Sequence, residues 1–456
     1  MRSKTLLLAA LALAAIVTAQ NQNYDAPPSY VPTPEELKPI RDALPPLQSK
    51  LTPVAKHARY ADAAIYAKAI DWILRHPEEF YQKQYVPNAL KVIETGNARA
   101  ADLAAGRTPW VDLKGKPVAR AYVSKVDGSL QPYQVTVPHS YNGTPMRLDV
   151  VLHGRNARLN EVSFLSAVEA SKAPVLEDRI ELQVYGRTNN AYRWAGETDV
   201  FEAIDAVKRD FKIDDKRIVL RGFSMGGAGG WHLGLHYPHI WAGIEAGAGF
   251  SETLRYAKQD KAPDYARRAW PVYDSYLYAR NTLLVPTVGY GSIDDPQLQA
   301  SVNVKEQLAK ENLPNNPALF LVGPKIGHKF APESKAESEA WITARLPKQM
   351  PNPAKFLTYT TRYGRYDWLL IDGLERHYDR AEVEASREGN TAKVITKNVA
   401  RLVFNTPLTV TIDGESLGSN IRAAEKHDGK WKKADLTPKT LRKRHGLQGP
   451  IDDAFL

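Results

Sequence analysis

The chain has 456 residues, 43% hydrophobic and 25% charged, the balance of a globular protein long enough for two or three domains. It has no cysteine, which excludes disulfides, a thiol nucleophile, a cysteine zinc site and a lipoprotein anchor. The net charge of +10 is local: residues 421–445 hold nine Lys/Arg against three acids and so carry +6 of it. This points to a basic tail rather than to a surface field built for nucleic acid.

In chain order, Arg2 and Lys4 precede an apolar run over residues 6–17, and Val17-Thr18-Ala19 has the small-residue pattern of a signal-peptidase site. That run is too short to span a bilayer comfortably. The expectation is a signal peptide at 1–19, cleaved after Ala19, and a secreted or periplasmic protein with no integral membrane association. Residues 20–34 read as a Pro-rich linker through Pro27, Pro28, Pro32 and Pro34. Residues 35–116 read as helical. Ile65, Ala69, Trp72 and Ile73 fall on one helix face, and Ala89, Val92, Ile93 and Gly96 repeat the pattern.

From residue 117 short β-rich runs alternate with helical ones. The strand candidates are 118–123, 133–137, 148–152, 180–185, 218–222, 243–246, 283–288 and 318–322. From the third onward the intervals are long enough for crossover helices, so residues 117–350 predict a mostly parallel eight-stranded sheet with helices on both faces. Residues 351–420 change texture again. Short strands at 356–360, 368–371, 383–385, 394–395, 402–404 and 408–412, with turns between, predict a small β-sandwich-like domain. Residues 421–456 form the basic tail, with few large apolar side chains and so little to add to a core.

The sharpest motif is Gly222-Phe223-Ser224-Met225-Gly226-Gly227, between a strand and a helix-compatible stretch. This is the G-x-S-x-G nucleophile elbow: a sharp turn that lifts a serine above the sheet and needs glycines where backbones crowd. Serine needs a base to take its proton. His328 follows the last strand, in Gly327-His328, and is the candidate. The acid that orients it should follow the preceding strand, where Asp294 and Asp295 stand side by side. Asp295 is preferred, the other serving as a helix cap before residues 297–311. An oxyanion needs amide donors. The backbone N–H of Met225 is one. The other comes from the loop Leu152-His153-Gly154-Arg155, assigned to Arg155 with Gly154 as second choice. Loops 186–194 and 247–250 lie at C-terminal strand ends, where α/β sheets bind ligands, and supply Asn190, Tyr192, Trp194 and Phe250 as substrate-binding candidates. His232, His236 and His239 have neither metal-ligand spacing nor evident carboxylate partners and read as packing residues; no metal and no cofactor are expected.

On Leu152-His153-Gly154, the elbow hexapeptide, Asp295-Pro296 and Gly327-His328, residues 117–346 resemble the α/β-hydrolase superfamily. Within it they are similar to the prolyl-oligopeptidase-like catalytic domain and to secreted esterases such as feruloyl esterases and polyhydroxybutyrate depolymerases. The resemblance implies the α/β-hydrolase fold, a Ser224–Asp295–His328 triad and no cofactor. About 80 helical residues stand where prolyl oligopeptidases carry a β-propeller, which moves the expectation toward an esterase acting on small-molecule or polysaccharide-linked esters. A serine peptidase with the same triad, and a non-catalytic binding protein, are the alternatives.

Overall fold

The computed structural model describes residues 26–313, 317–438 and 441–447. The expected signal peptide and its cleavage point lie outside them. The first elements are three helices, α1 (Pro34–Leu51), α2 (Tyr60–Arg75) and α3 (Tyr85–Ala104). Thr33 starts α1 by a reciprocal cap: its hydroxyl accepts the Glu36 N–H, and the Glu36 carboxylate accepts the Thr33 N–H. Ile65, Ala69 and Ile73 of α2 and Ala89, Val92 and Ile93 of α3 are buried as their spacing predicts. Gly96 lets α3 approach α2 closely, since a Cβ there would lie 2.8 Å from Tyr66 Cβ. Trp72 departs from the expected face. It is 40% exposed at the edge of the stripe, where Arg75 covers its ring and its indole N–H reaches Glu79 at 3.3 Å. An indole with one polar end settles at such a rim. The three helices share one continuous core with the sheet. Buried Asp62 of α2 accepts the Ala121 N–H at 2.9 Å and pairs with Arg120.

The large sheet has eight strands: β1 (Pro117–Val123), β2 (Leu130–Thr136), β3 (Met146–Leu152), β4 (Arg179–Val184), β5 (Ile213–Phe223), β6 (Gly243–Gly247), β7 (Thr287–Ser292) and β8 (Ala318–Gly323). Their order is β1-β2-β4-β3-β5-β6-β7-β8. The β1–β2 and β2–β4 pairs are antiparallel and the rest are parallel. Between them run α4 (Glu161–Ala170), α5 (Ala195–Asp210), α6 (Met225–His236), α7 (Asp264–Ala269) and α8 (Gln299–Lys310), and α9 (Pro332–Thr343) follows β8. The sheet is covered on both faces. Ile218, Leu220 and Ile244 belong to the core that holds α6, whereas the alternate residue Val219, with Val288 and Tyr290, packs with Ile342 of α9. The seventh strand starts later than the sequence suggests. Residues up to Leu283 are a 3-10 turn, Leu284 packs into the C-terminal core, and Pro286, which has no N–H to give, precedes the ladder.

Among the described residues the C-terminal region has nine strands: β9 (Ala354–Thr358), β10 (Arg365–Tyr366), β11 (Leu369–Leu374), β12 (Ala381–Glu388), β13 (Thr391–Lys397), β14 (Val399–Ile412), β15 (Glu415–Ser416), β16 (Ile421–His427) and β17 (Lys430–Lys433). It has its own apolar core. Two of the expected strands are one: β14 runs unbroken past Pro407, pairing with β11 and β16 along its first part and with β13 and β15 further on. The proline is tolerated because the β14–β16 register is interrupted between Val403 and Leu408. The expected tail from 421 is corrected as well. Residues 421–427 and 430–433 are strands joined by a turn, with Ile421 and Trp431 buried and Lys430, Lys432 and Lys433 exposed. The charge count hid the buried positions Ile421, Ala423, Ala424 and Trp431 that lie among the charges.

Candidate active site

Ser224 sits between β5 and α6 with φ 59° and ψ −123°, a left-handed backbone that only a tightly determined turn sustains. The glycines around it are there for space. A Cβ on Gly222 would lie 2.0 Å from Gly226 O, one on Gly226 2.1 Å from Leu152 O, and one on Gly227 2.0 Å from Gly247 O. The Ser224 N–H donates to Gly247 O at 2.9 Å, which ties the turn to the end of β6. Met225 is the first residue of α6, so its N–H has no intrahelical acceptor.

His328 and Asp295 come together. The ring Nδ1–H donates to Asp295 Oδ2 at 2.7 Å, and that carboxylate is buried. Its other oxygen accepts the Gln297 N–H at 2.9 Å, so Asp295 also takes the cap role expected of its neighbour. Asp294 instead accepts the Gly327 N–H at 3.1 Å, holding the loop that carries His328. The loop is fixed from below as well. Tyr290 stacks on Phe330 at 3.9 Å and its hydroxyl accepts the Ala331 N–H. The His328 ring lies 4.8 Å from that of Phe223, the residue before the nucleophile candidate. None of the hydrogen bonds among the described residues joins Ser224 to His328; such contacts tighten when substrate binds.

On the oxyanion side, a Cβ on Gly154 would sit 3.5 Å from Ser224 Cβ, so the loop after β3 faces the serine. Arg155 follows it, its side chain exposed. The loop is set by Tyr192, whose hydroxyl accepts the His153 N–H at 2.7 Å. This corrects the expectation for Tyr192. Its ring is fully buried against Gly186 and Gly229 and does not line a pocket. Its φ of 56° turns the side chain inward, and burial raises its hydroxyl pKa far above the usual value. Asn190 is also internal to its loop: its Nδ2 donates to Gly186 O at 2.8 Å and its Oδ1 accepts the Tyr192 N–H at 2.9 Å.

Trp194 and Phe250 each pack in an aromatic pair on their loops. Trp194 is 39% exposed and donates to the Tyr273 hydroxyl at 3.1 Å, and Phe250 stacks on Tyr256 at 4.1 Å. Between them lies Arg193, its guanidinium 5.2 Å from the rings of both Phe250 and Tyr273. Burial pushes the carboxyl of nearby Asp274 up to about 7, against the hydrogen bond from Thr253 and the field of Arg193.

One polar group below the site was not foreseen. Glu197, in the first turn of α5, accepts from His232 of α6 at 2.6 Å, Tyr237 at 2.5 Å, Arg362 at 2.7 Å and Tyr363 at 3.1 Å. His232 therefore has a carboxylate partner, contrary to expectation, although it is buried as a packing residue would be. Burial works to raise Glu197, but Arg362 and His232 outweigh it and hold the carboxyl well below the usual range. Burial lowers the imidazole pKa of His232, against the Glu197 carboxylate, and that of His236 well below the usual value.

No family model matches the chain, and no curated protein does. Among solved structures it is similar to an S-formylglutathione hydrolase from Staphylococcus aureus (17% identity over 51% of this chain and 99% of that one, TM-score 0.37). It is also similar to a ferulic acid esterase (18%, 51% and 99%, TM-score 0.36) and to an S-formylglutathione hydrolase from Agrobacterium tumefaciens (15%, 51% and 96%, TM-score 0.37). With its mostly parallel eight-stranded sheet, covered on both faces and carrying the serine turn at the end of β5, the chain has the α/β-hydrolase fold.

Proposed function

We propose that this protein is a serine hydrolase that cleaves carboxylic esters through an acyl-enzyme at Ser224. The observation that carries the reading is a serine held at φ 59° on a glycine-packed turn, with a histidine–carboxylate pair at 2.7 Å on the adjoining strand ends. In this reading His328 Nε2, the nitrogen that Asp295 leaves free, takes the Ser224 proton as Oγ attacks the ester carbonyl. The N–H groups of Met225 and Arg155 receive the oxyanion. His328 then returns the proton to the departing alcohol, and water cleaves the acyl-enzyme by the same route. Asp295 keeps the imidazole in the required tautomer and stabilises its charged form. Export through the N-terminal segment, and acyl esters on plant polysaccharides as substrates, belong to the same proposal.

A fluorophosphonate should label Ser224. Ser224→Ala should abolish labelling and lower kcat on p-nitrophenyl esters by about 10⁶ with the fold intact. Labelling at another residue, or full activity in the variant, overturns the reading. Faster turnover of an aminoacyl-p-nitroanilide than of the ester would favour the peptidase alternative.

A further inference from the structure

Arg193, on the loop after β4, makes no ion pair within 4 Å among the described residues, although Asp274 lies near enough to attract it. Its Nε is buried and has no acceptor, and its one hydrogen bond to the described residues is a long one, 3.4 Å from Nη2 to Tyr273 O. The hydrogen bonds of the acids around it go to other groups. Asp274 accepts from Thr253 at 2.5 Å, Glu252 from the N–H groups of Arg255 and Tyr256, and Glu197 from His232 and Arg362. Burial works against the guanidinium and lowers its pKa, with the nearby Asp274 opposing this. Arg193 is half-buried, with Nε shut off from water; a guanidinium so placed gains from a partner that arrives, and its planar fork suits a carboxylate.

Its position ties it to the reacting centre from two sides. The residue before it, Tyr192, holds His153 and with it the oxyanion loop. Phe250, whose ring lies beside the guanidinium, follows Gly249, where a Cβ would sit 2.2 Å from Ala228 N in the first turn of α6. The loop 186–194 that presents Arg193 is strained. Arg187, Thr188, Ala191, Tyr192 and Trp194 all have φ between 54° and 72°, and such strain persists only where the surroundings impose it.

We propose that Arg193 is the anchor for a free carboxylate on the ester substrate, on either its acyl or its alcohol part. The inference rests on the reading of Ser224 as the nucleophile.

Two matched pairs test it. Mono-p-nitrophenyl glutarate against p-nitrophenyl pentanoate places the carboxylate on the acyl side; 4-carboxyphenyl acetate against 4-methylphenyl acetate places it on the alcohol side. For each pair the acid-to-neutral ratio of kcat/KM is measured on one enzyme preparation, so the fraction folded cancels. Comparing wild type with Arg193→Gln then cancels the intrinsic reactivities too. The ratio for one pair should fall about tenfold or more in Arg193→Gln, mainly through KM of the acid, with a smaller fall in Arg193→Lys, which keeps the charge and loses the fork. Which pair responds assigns the carboxylate to acyl or alcohol. Ratios unchanged within about twofold in both pairs overturn the proposal, and if Arg193→Gln does not fold, the Lys variant decides by the same criterion. A wild-type enzyme inactive on all four esters would instead sink the ester-cleavage reading. The carboxylate site would then be judged by calorimetric titration with glutarate: saturable binding lost in the variant supports it, and no binding to wild type, or equal binding to both, overturns it.

Discussion

The two sides of the candidate site are built from different materials. Around Ser224 the fit is backbone against backbone, with carbonyls so near Gly222, Gly226 and Gly227 that no methyl group fits. On the loops after β4 and β6, the cluster of Arg193, Trp194, Phe250, Tyr256 and Tyr273 is side chain against side chain, with ring centroids 4.1 to 6.2 Å apart. The first kind of construction fixes a position to fractions of an ångström. The second leaves room for residues to be exchanged without disturbing the sheet. A reaction centre needs the former and a recognition surface can use the latter.

The largest expected effect probes the first side. Asp295→Asn should lower kcat by about 10⁴, as loss of an orienting triad acid does, whereas Asp294→Asn should cost less than about tenfold because it frees only the Gly327 N–H. Equal losses or the reverse order would break the assignment. Next, urea unfolding should separate the materials themselves. Gly227→Ala must displace Gly247 O and should cost about 3 kcal/mol or more, while Trp194→Ala, half out in solvent, should stay within about 1 kcal/mol. Similar costs would erase the contrast. Tyr192→Phe tests the joint between the two sides. It deprives the His153 N–H of its acceptor and should lower kcat about tenfold with KM little changed; an unaltered kcat would show that the oxyanion loop holds itself.

The smallest effect is a pH dependence beside that cluster. Asp274 titrates near 7 in the folded protein and at about 3.9 unfolded. Between those values the native state keeps a proton that the unfolded chain has released, so this residue makes stability fall as pH rises from about 4 to about 7. The slope is at most about 1.4 kcal/mol per unit, and the fall is complete above 7. Asp274→Asn should remove it. The stability of the variant relative to wild type should improve across that window and level off above it, and a flat difference would count against the buried, protonated Asp274.

The same division explains what the amino-acid order disclosed. Six consecutive residues, 222–227, specify the elbow, because the constraint is local: a strand, a turn and the glycines that let it close. His328 and the Asp294–Asp295 pair followed from their places after successive strands. Choosing between the two acids is a harder matter, since adjacent residues point to opposite sides and only the fold decides which meets the ring. Tyr192 was misread because an aromatic residue on a loop looks like a pocket wall. Its inward turn depends on its positive φ and on the space that Gly229 leaves 37 residues later. Glu197 was passed over because an acid near the start of a helix reads as solvated. Its partners Arg362 and Tyr363 lie 165 and 166 residues away and belong to the other region.

The lysines of β17 have a consequence for how the folded molecules meet one another. Among the described residues β17 pairs along one side only, with β16, and its other side is a sheet edge that the Glu415 carboxylate covers in part by accepting the Trp431 N–H at 3.2 Å. Lys430, Lys432 and Lys433 stand exposed along it while Trp431 turns inward. A second molecule bringing the same strand alongside would have to set like charges against like, at a spacing of about 5 Å between strands. The local excess of positive charge thus acts as a fence that keeps an open ladder from growing across two chains at this edge.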